Sequence, residues 1–139
     1  MVLVDSSVWI DYFNGRSTSQ TDALDALLGT DLVVLGDLIL TEVLQGFRTQ
    51  RDYRTARSLL EPLDVRTLGG RVIAIAAADN YRALRRSGVT VRKTIDVIID
   101  TYCILHNMPL LHGDQDFHPM VTHLGLLTYD SSQIENRKP

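Results

Sequence analysis

The feature that most constrains this chain is the alternation of short apolar runs with longer amphipathic stretches. Val2-Leu3-Val4, Leu32 to Leu35 and Pro109 to His112 are too short for buried helices and read as strands, with Leu63 to Thr67 as a further strand and Leu126 to Thr128 as a plausible fifth. The stretches between them carry apolar residues three and four apart, the period of a helix with one buried face. Apolar strands separated by helical crossovers build a parallel sheet covered by helices, so the expected class is α/β with four to five strands.

Punctuation supports these elements. Ser6 and Ser7 are expected caps for a helix carrying Val8, Trp9, Tyr12 and Phe13. A helix from about Thr21 to Leu28 stops at Gly29, and Asp37 is the expected cap of the helix carrying Leu38, Ile39, Glu42, Val43 and Leu44. Asp52 to Leu60 is helical in pattern and Pro62 ends it. Gly69-Gly70 breaks the chain before a helix from about Val72 to Arg86, and Thr94 is the expected cap of the next helix. With no repeat, linker or low-complexity tract, the 139 residues are expected to form a single domain over 1–139, its polar tail fraying after about residue 131.

The acids fall at informative places. Asp5 directly follows the first strand and Asp114 lies just after the fourth; open parallel sheets bind ligands outside the carboxyl ends of their strands. Asp96 falls at about the second position of its helix, near unpaired N–H groups and the positive end of the dipole. Glu42 sits in mid-helix at the edge of an apolar face, where a lone carboxylate is costly. Taken singly, each has an ordinary explanation as a turn residue, a cap or a solvated charge, and Asp116 as the cap of a short helix at Phe117. Their joint placement points to one site. Clustered carboxylates need a cation or must protonate, and an oxygen-only set selects hard ions such as Mg²⁺ or Mn²⁺. Such ions suit phosphodiester cleavage.

VLVDSSVWIDYF at the start, EVLQGF around Glu42, KTIDVIID around Asp96 and LLHGDQDF around Asp114 resemble the four blocks of PIN-domain proteins, and more closely the VapC toxins of type II toxin–antitoxin systems. The blocks stand in family order and spacing over nearly the whole chain. The resemblance implies a three-layer α/β/α sandwich and a Mg²⁺- or Mn²⁺-dependent endoribonuclease that cleaves RNA with a metal-activated water. It also implies a homodimer, inhibition by a cognate VapB-type antitoxin, and operator DNA reached only through that antitoxin. By position, Asp5, Glu42, Asp96 and Asp114 match the catalytic acidic tetrad; Asp5, Asp96, Asp114 and Asp116 are the expected metal ligands. Ser7 matches a small hydroxyl residue that contacts water or phosphate. Asp100 departs from the pattern, which often has alanine or another small residue there. Sharing a helix face with Asp96, it reads either as a functional acid, near the metal or contacting an antitoxin arginine, or, equally, as a solvated or locally paired acid one turn away.

Net charge is −3, which taken alone disfavours nucleic acid, but five acids collected at one site account for more than all of it. Arg92 and Lys93, beside Thr94, are expected substrate contacts, with plain solubility as the alternative. Arg48, Arg51, Arg54 and Arg57 read as a phosphate rail or, slightly favoured, a solvated face. His112 either lines the site or is structural. The lone Cys103 excludes an internal disulfide and a cysteine zinc site. With no long apolar run and no secretory signal pattern, the chain is expected to be cytoplasmic and off the membrane. Two other functions compete. One is a catalytically silent module that only binds antitoxin and operator DNA, which would have no need to crowd its acids. The other is an aspartyl-phosphate phosphatase using Asp5, which wants a second acid where Ser7 stands.

Overall fold

The computed structural model describes residues 1–91, 93–113 and 117–129. In chain order the elements are β1 (Val2–Val4), α1 (Ser6–Phe13), α2 (Ser19–Leu28), β2 (Val33–Gly36), α3 (Asp37–Leu44), α4 (Gln50–Leu60), β3 (Asp64–Arg66), α5 (Arg71–Arg86), α6 (Thr94–Leu105), β4 (Leu110–Leu111) and α7 (His118–Leu124). The strands pair in the order β3-β2-β1-β4, and every pairing is parallel. Every residue of β1 and β2 is buried, as a central parallel strand requires. β3, with Asp64 and Arg66, is the polar edge.

This order positions the site. The chain steps from β1 to β2 to β3 in one direction, then crosses back to lay β4 on the other side of β1. Right-handed crossovers put the helices of the first half on one face and those between β3 and β4 on the other. α1 accordingly packs with α2 and α3, whereas α5 packs with α6. The direction of winding reverses between β1 and β4, and the crevice outside their carboxyl ends is where such sheets bind ligands.

The expected fifth strand reduces to a single parallel bridge between Leu110 and Thr128. Leu110 donates to Leu127 O and Tyr129 donates back to Leu110 O, both at 2.9 Å. β4 itself is only two residues long, so it offers little edge to extend, and Gly125 at φ 76° turns the chain in only just before the bridge.

The core lies between sheet and helices. Leu3, Val4, Trp9, Leu24, Leu35, Ile39, Leu84, Ile99 and Leu110 have no exposed surface, and each such aliphatic side chain contributes about 1.5–3 kcal/mol. The Trp9 ring stacks on Phe13 at 6.1 Å, and Phe13 meets Phe47 edge-on at 5.5 Å, so this aromatic trio is packing.

The β2–α3 junction differs from expectation. Gly36, not Asp37, is the N-cap residue of α3. Asp37 Oδ1 accepts from its neighbour Leu38 N–H (2.8 Å) and from Leu68 N–H (3.0 Å), latching the segment before α5 onto α3. The latch presses Leu68 onto Gly36: a Cβ there would lie 2.7 Å from Leu68 Cγ and closer still to Cδ1. Because Leu68 is fully buried it has nowhere to retreat. Gly36→Ala should therefore destabilise the fold by about 1–3 kcal/mol, seen as a lower urea midpoint; an unchanged midpoint would refute the close approach.

Candidate active site

Asp5 stands at the winding reversal. Its N–H donates to Leu111 O (3.0 Å), tying the end of β1 to the end of β4, and its backbone is extended at ψ 150°. Helix α1 begins at the next residue, so Asp5 is its N-cap, in place of Ser6 and Ser7. With β1 ending at Val4 and α1 starting at Ser6, Asp5 is the single residue between them and so takes the cap. Asp5 Oδ2 accepts both the Ser7 N–H (3.2 Å) and the Ser7 hydroxyl. Only 4% of Asp5 is exposed. Burial raises its pKa, opposed by the Ser7 bonds, the Ser6 N–H and the charge of His112.

Glu42 is half-buried on α3, and its Oε1 is buried without a hydrogen-bond partner. Burial and then the Asp5 charge raise its pKa; Lys93 and the Ser6 hydroxyl pull it back. Glu42 and Asp5 are thus close enough to repel. Lys93 is exposed at the N-cap position of α6, whose first residue is Thr94, and it makes no side-chain cap bond. Asp96 is consequently the third residue of that helix, one place later than expected.

Asp100, one turn beyond Asp96, has no exposed surface, and neither of its carboxyl oxygens has a hydrogen-bond partner. The reading of Asp100 as a solvated acid is therefore overturned: α6 turns this face toward the core, where Ile99, Thr101, Tyr102 and Cys103 are also buried. Burial, then the charges of Asp96 and Asp5, push its pKa up to about 8. His112 directly follows β4. Its Nε2 lies 3.0 Å from Thr128 Oγ1 and its ring tilts over Phe117 at 4.7 Å, so it packs at the rim of the crevice.

Arg92, Asp114 and Asp116 lie outside the described residues. Leu111 before the loop and Phe117 after it are both buried. Among the described residues, no three His, Cys, Asp or Glu side chains close into a ready set of metal ligands. What comes together is a chain of repelling pairs: Glu42 with Asp5, Asp5 with Asp100, and Asp100 with Asp96. Buried carboxyl oxygens lacking any donor, in an oxygen-only set, fit a hard divalent cation.

Ser6 is the participant that sequence reasoning missed. Its place in the chain marks it as a cap, yet its N–H serves Asp5 and its hydroxyl serves Glu42. Only its adjacency to Asp5 hints at this. The arginines of α4 are exposed, and Arg57 pairs with Glu61 at 2.7 Å, which fits a solvated face.

A parallel α/β sheet with acids at its winding reversal is the arrangement of a known family: the sequence profile of the PIN domain matches residues 2–120. The chain is 30% identical over 119 residues to VapC ribonuclease Mb1587 of Mycobacterium bovis and to ribonuclease VapC11 of Mycobacterium tuberculosis, covering 84% of this chain and 89% of each relative. It therefore belongs to the PIN-domain family, on its VapC ribonuclease branch. Solved structures share the fold. VapBC2 of Rickettsia felis, bound to a DNA fragment from its promoter, aligns at TM-score 0.74 and 14% identity over 93% of this chain and 98% of the other. VapBC-1 of nontypeable Haemophilus influenzae aligns at 0.70 and 18% over 94% and 98%.

Proposed function

We propose that this chain is a Mg²⁺- or Mn²⁺-dependent endoribonuclease, the toxin of a type II toxin–antitoxin pair. The observation that carries the proposal is the row of buried and half-buried, mutually repelling carboxylates at the β1–β4 crevice, in which Glu42 Oε1 and both Asp100 oxygens have no hydrogen-bond partner. Asp5, Glu42, Asp96 and Asp114 form the catalytic set, and Asp5, Asp96, Asp114 and Asp116 would hold the cation. When bound, that ion makes water a better nucleophile and offsets charge on the scissile phosphate.

The protein's own groups do the positioning. Ser7, donating twice to one oxygen of Asp5, fixes the carboxylate's orientation. Ser6 acts on both acids, its N–H on Asp5 and its hydroxyl on Glu42, and lowers the pKa of each. Lys93, exposed and close enough to act on Glu42, is suited to a phosphate of the RNA backbone, with Arg92 beside it in sequence. His112, packed against Phe117 and Thr128, buttresses the rim.

The same reading assigns a VapB-type antitoxin as inhibitor, a homodimer as the working unit, operator DNA as a contact made through the antitoxin, and the cytoplasm as location. The relatives' names as ribonucleases and the fold shared with VapBC complexes support it. Among the described residues no helix is long and apolar enough to cross a membrane.

The test is direct. Purified chain should cut a structured RNA with Mg²⁺ or Mn²⁺, and either chelation or Asp96→Asn should stop it. Sequencing 5′-phosphate ends after brief expression of both forms would locate the cuts. Cutting by Asp96→Asn at the wild-type rate would sink the assignment.

A further inference from the structure

We propose that Asp100 is an additional cation-holding acid of this site, deepening the row formed by Asp5, Glu42 and Asp96 and tightening its grip on a divalent ion. The inference rests on the cation-dependent reading above and concerns a residue outside the acidic tetrad.

The position is a problem the fold leaves open. Asp100 has no exposed surface, so water does not solvate it. Neither carboxyl oxygen has a hydrogen-bond partner, so the protein does not satisfy it. An unsatisfied buried carboxylate is among the costliest groups a core can hold. The nearest hydroxyl in sequence, that of Thr101, is already committed: it donates to Val97 O at 2.6 Å and accepts from Asn80 Nδ2 at 3.0 Å. The ion pairs among the described residues are Arg16–Asp11, Arg57–Glu61 and Arg66–Asp64, so none of these cations is engaged with Asp100. An acid retained only to support the fold would be expected to bond to something, and this one does not.

Its surroundings say what it is for. Asp100 lies one turn from Asp96 on the same face of α6, and the charges of both Asp96 and Asp5 reach it. It therefore lies near the crevice acids and out of reach of solvent. A group in that place responds to whatever positive charge enters among those acids. More carboxylate charge around a hard cation raises affinity, the means by which calcium sites are tuned over several orders of magnitude. Cys103, buried on the same helix, feels the Asp100 charge as well, but as a thiol pushed upward it offers no thiolate to the ion.

The experiment is a Mn²⁺ titration of the full chain, without RNA, followed by calorimetry and by the rise in melting temperature. Wild type, Asp100→Asn and Asp96→Asn are compared. Asparagine keeps the shape but cannot ionise to meet a cation, so the variant should fold, with unchanged far-ultraviolet circular dichroism. Asp100→Asn is expected to weaken Mn²⁺ binding about tenfold or more and to shrink the Mn²⁺-induced melting shift accordingly. A loss below about threefold, with Asp96→Asn clearly impaired, overturns the role of Asp100 and leaves the site reading intact. If Asp96→Asn also binds Mn²⁺ normally, the cation site itself is wrong. Should Asp100→Asn not fold, Asp100→Ala, which removes charge without adding an amide, is judged by the same criteria.

Discussion

Asp5→Asn is expected to abolish most RNA cleavage while leaving the fold in place. Asp5 has two jobs that this substitution separates. As N-cap of α1 it accepts the Ser7 N–H, and asparagine caps a helix about as well as aspartate. The substituted amide would also be neutral, which removes the cost of burying a charge at a position only 4% exposed. What it cannot supply is an anionic oxygen at the end of β1, in the middle of the proposed ligand row. Loss of the several kcal/mol that a held cation contributes in the transition state corresponds to about 10²–10³-fold or more in rate. Asp5→Ala should show the same loss of cleavage plus about 1 kcal/mol of lost stability from the missing cap. Single-turnover cleavage beside thermal melting checks both. Wild-type cleavage by a folded Asp5→Asn chain would remove Asp5 from the machinery.

The second large effect is on stability against pH in the metal-free protein. Asp100 has its folded-state pKa pushed up to about 8 by burial and by its acidic neighbours, from 3.8 for an unperturbed aspartate. The folded chain therefore holds this proton more tightly than the unfolded chain. Its contribution is fully present below the unfolded pKa and is lost as pH rises through about 8. Within that window one such group costs up to about 1.4 kcal/mol per pH unit, several kcal/mol in all. Asp5 and Glu42, whose pKa values are also raised, act in the same direction. Urea midpoints measured in chelator from about pH 5 to about pH 8 should fall as pH rises. Asp100→Asn should flatten that slope, and saturating Mn²⁺ should restore stability at the alkaline end through ligand linkage. A wild-type midpoint that stays level across the range would show that Asp100 is not held as described.

The two expectations draw on different layers of information. That Asp5 ends a strand and opens a helix is local: the apolar tripeptide before it and the helical spacing of Val8, Trp9, Tyr12 and Phe13 after it are enough. That it, and not Ser6 or Ser7, caps the helix depends on how many residues the junction uses, and the structure uses one, Asp5 itself. The fifth strand departs from expectation for a similar reason. An apolar run at Leu126 to Thr128 satisfies the local pattern, but pairing needs a long enough neighbour, and β4 is two residues long. Asp37 shows a third case, its carboxylate accepting from Leu68 N–H, 31 residues on and beyond α3, α4 and β3, which local spacing does not reveal.

The alternation of short apolar runs with amphipathic stretches determined the α/β class and the parallel sheet, because those patterns reflect forces acting between residues a few positions apart. The four motif blocks determined the family. The strand order β3-β2-β1-β4 was decided by tertiary structure, and with it the crevice beside Asp5. So was the meeting of Glu42 with Asp5, which are separated in the chain by α1, α2 and β2. Asp100 is the sharpest instance. Its sequence position four after Asp96 is equally consistent with solvent or core, and only the packing of α6 removes its water and leaves both oxygens without a partner. Burial is a property of which faces meet, and that is settled across the whole fold.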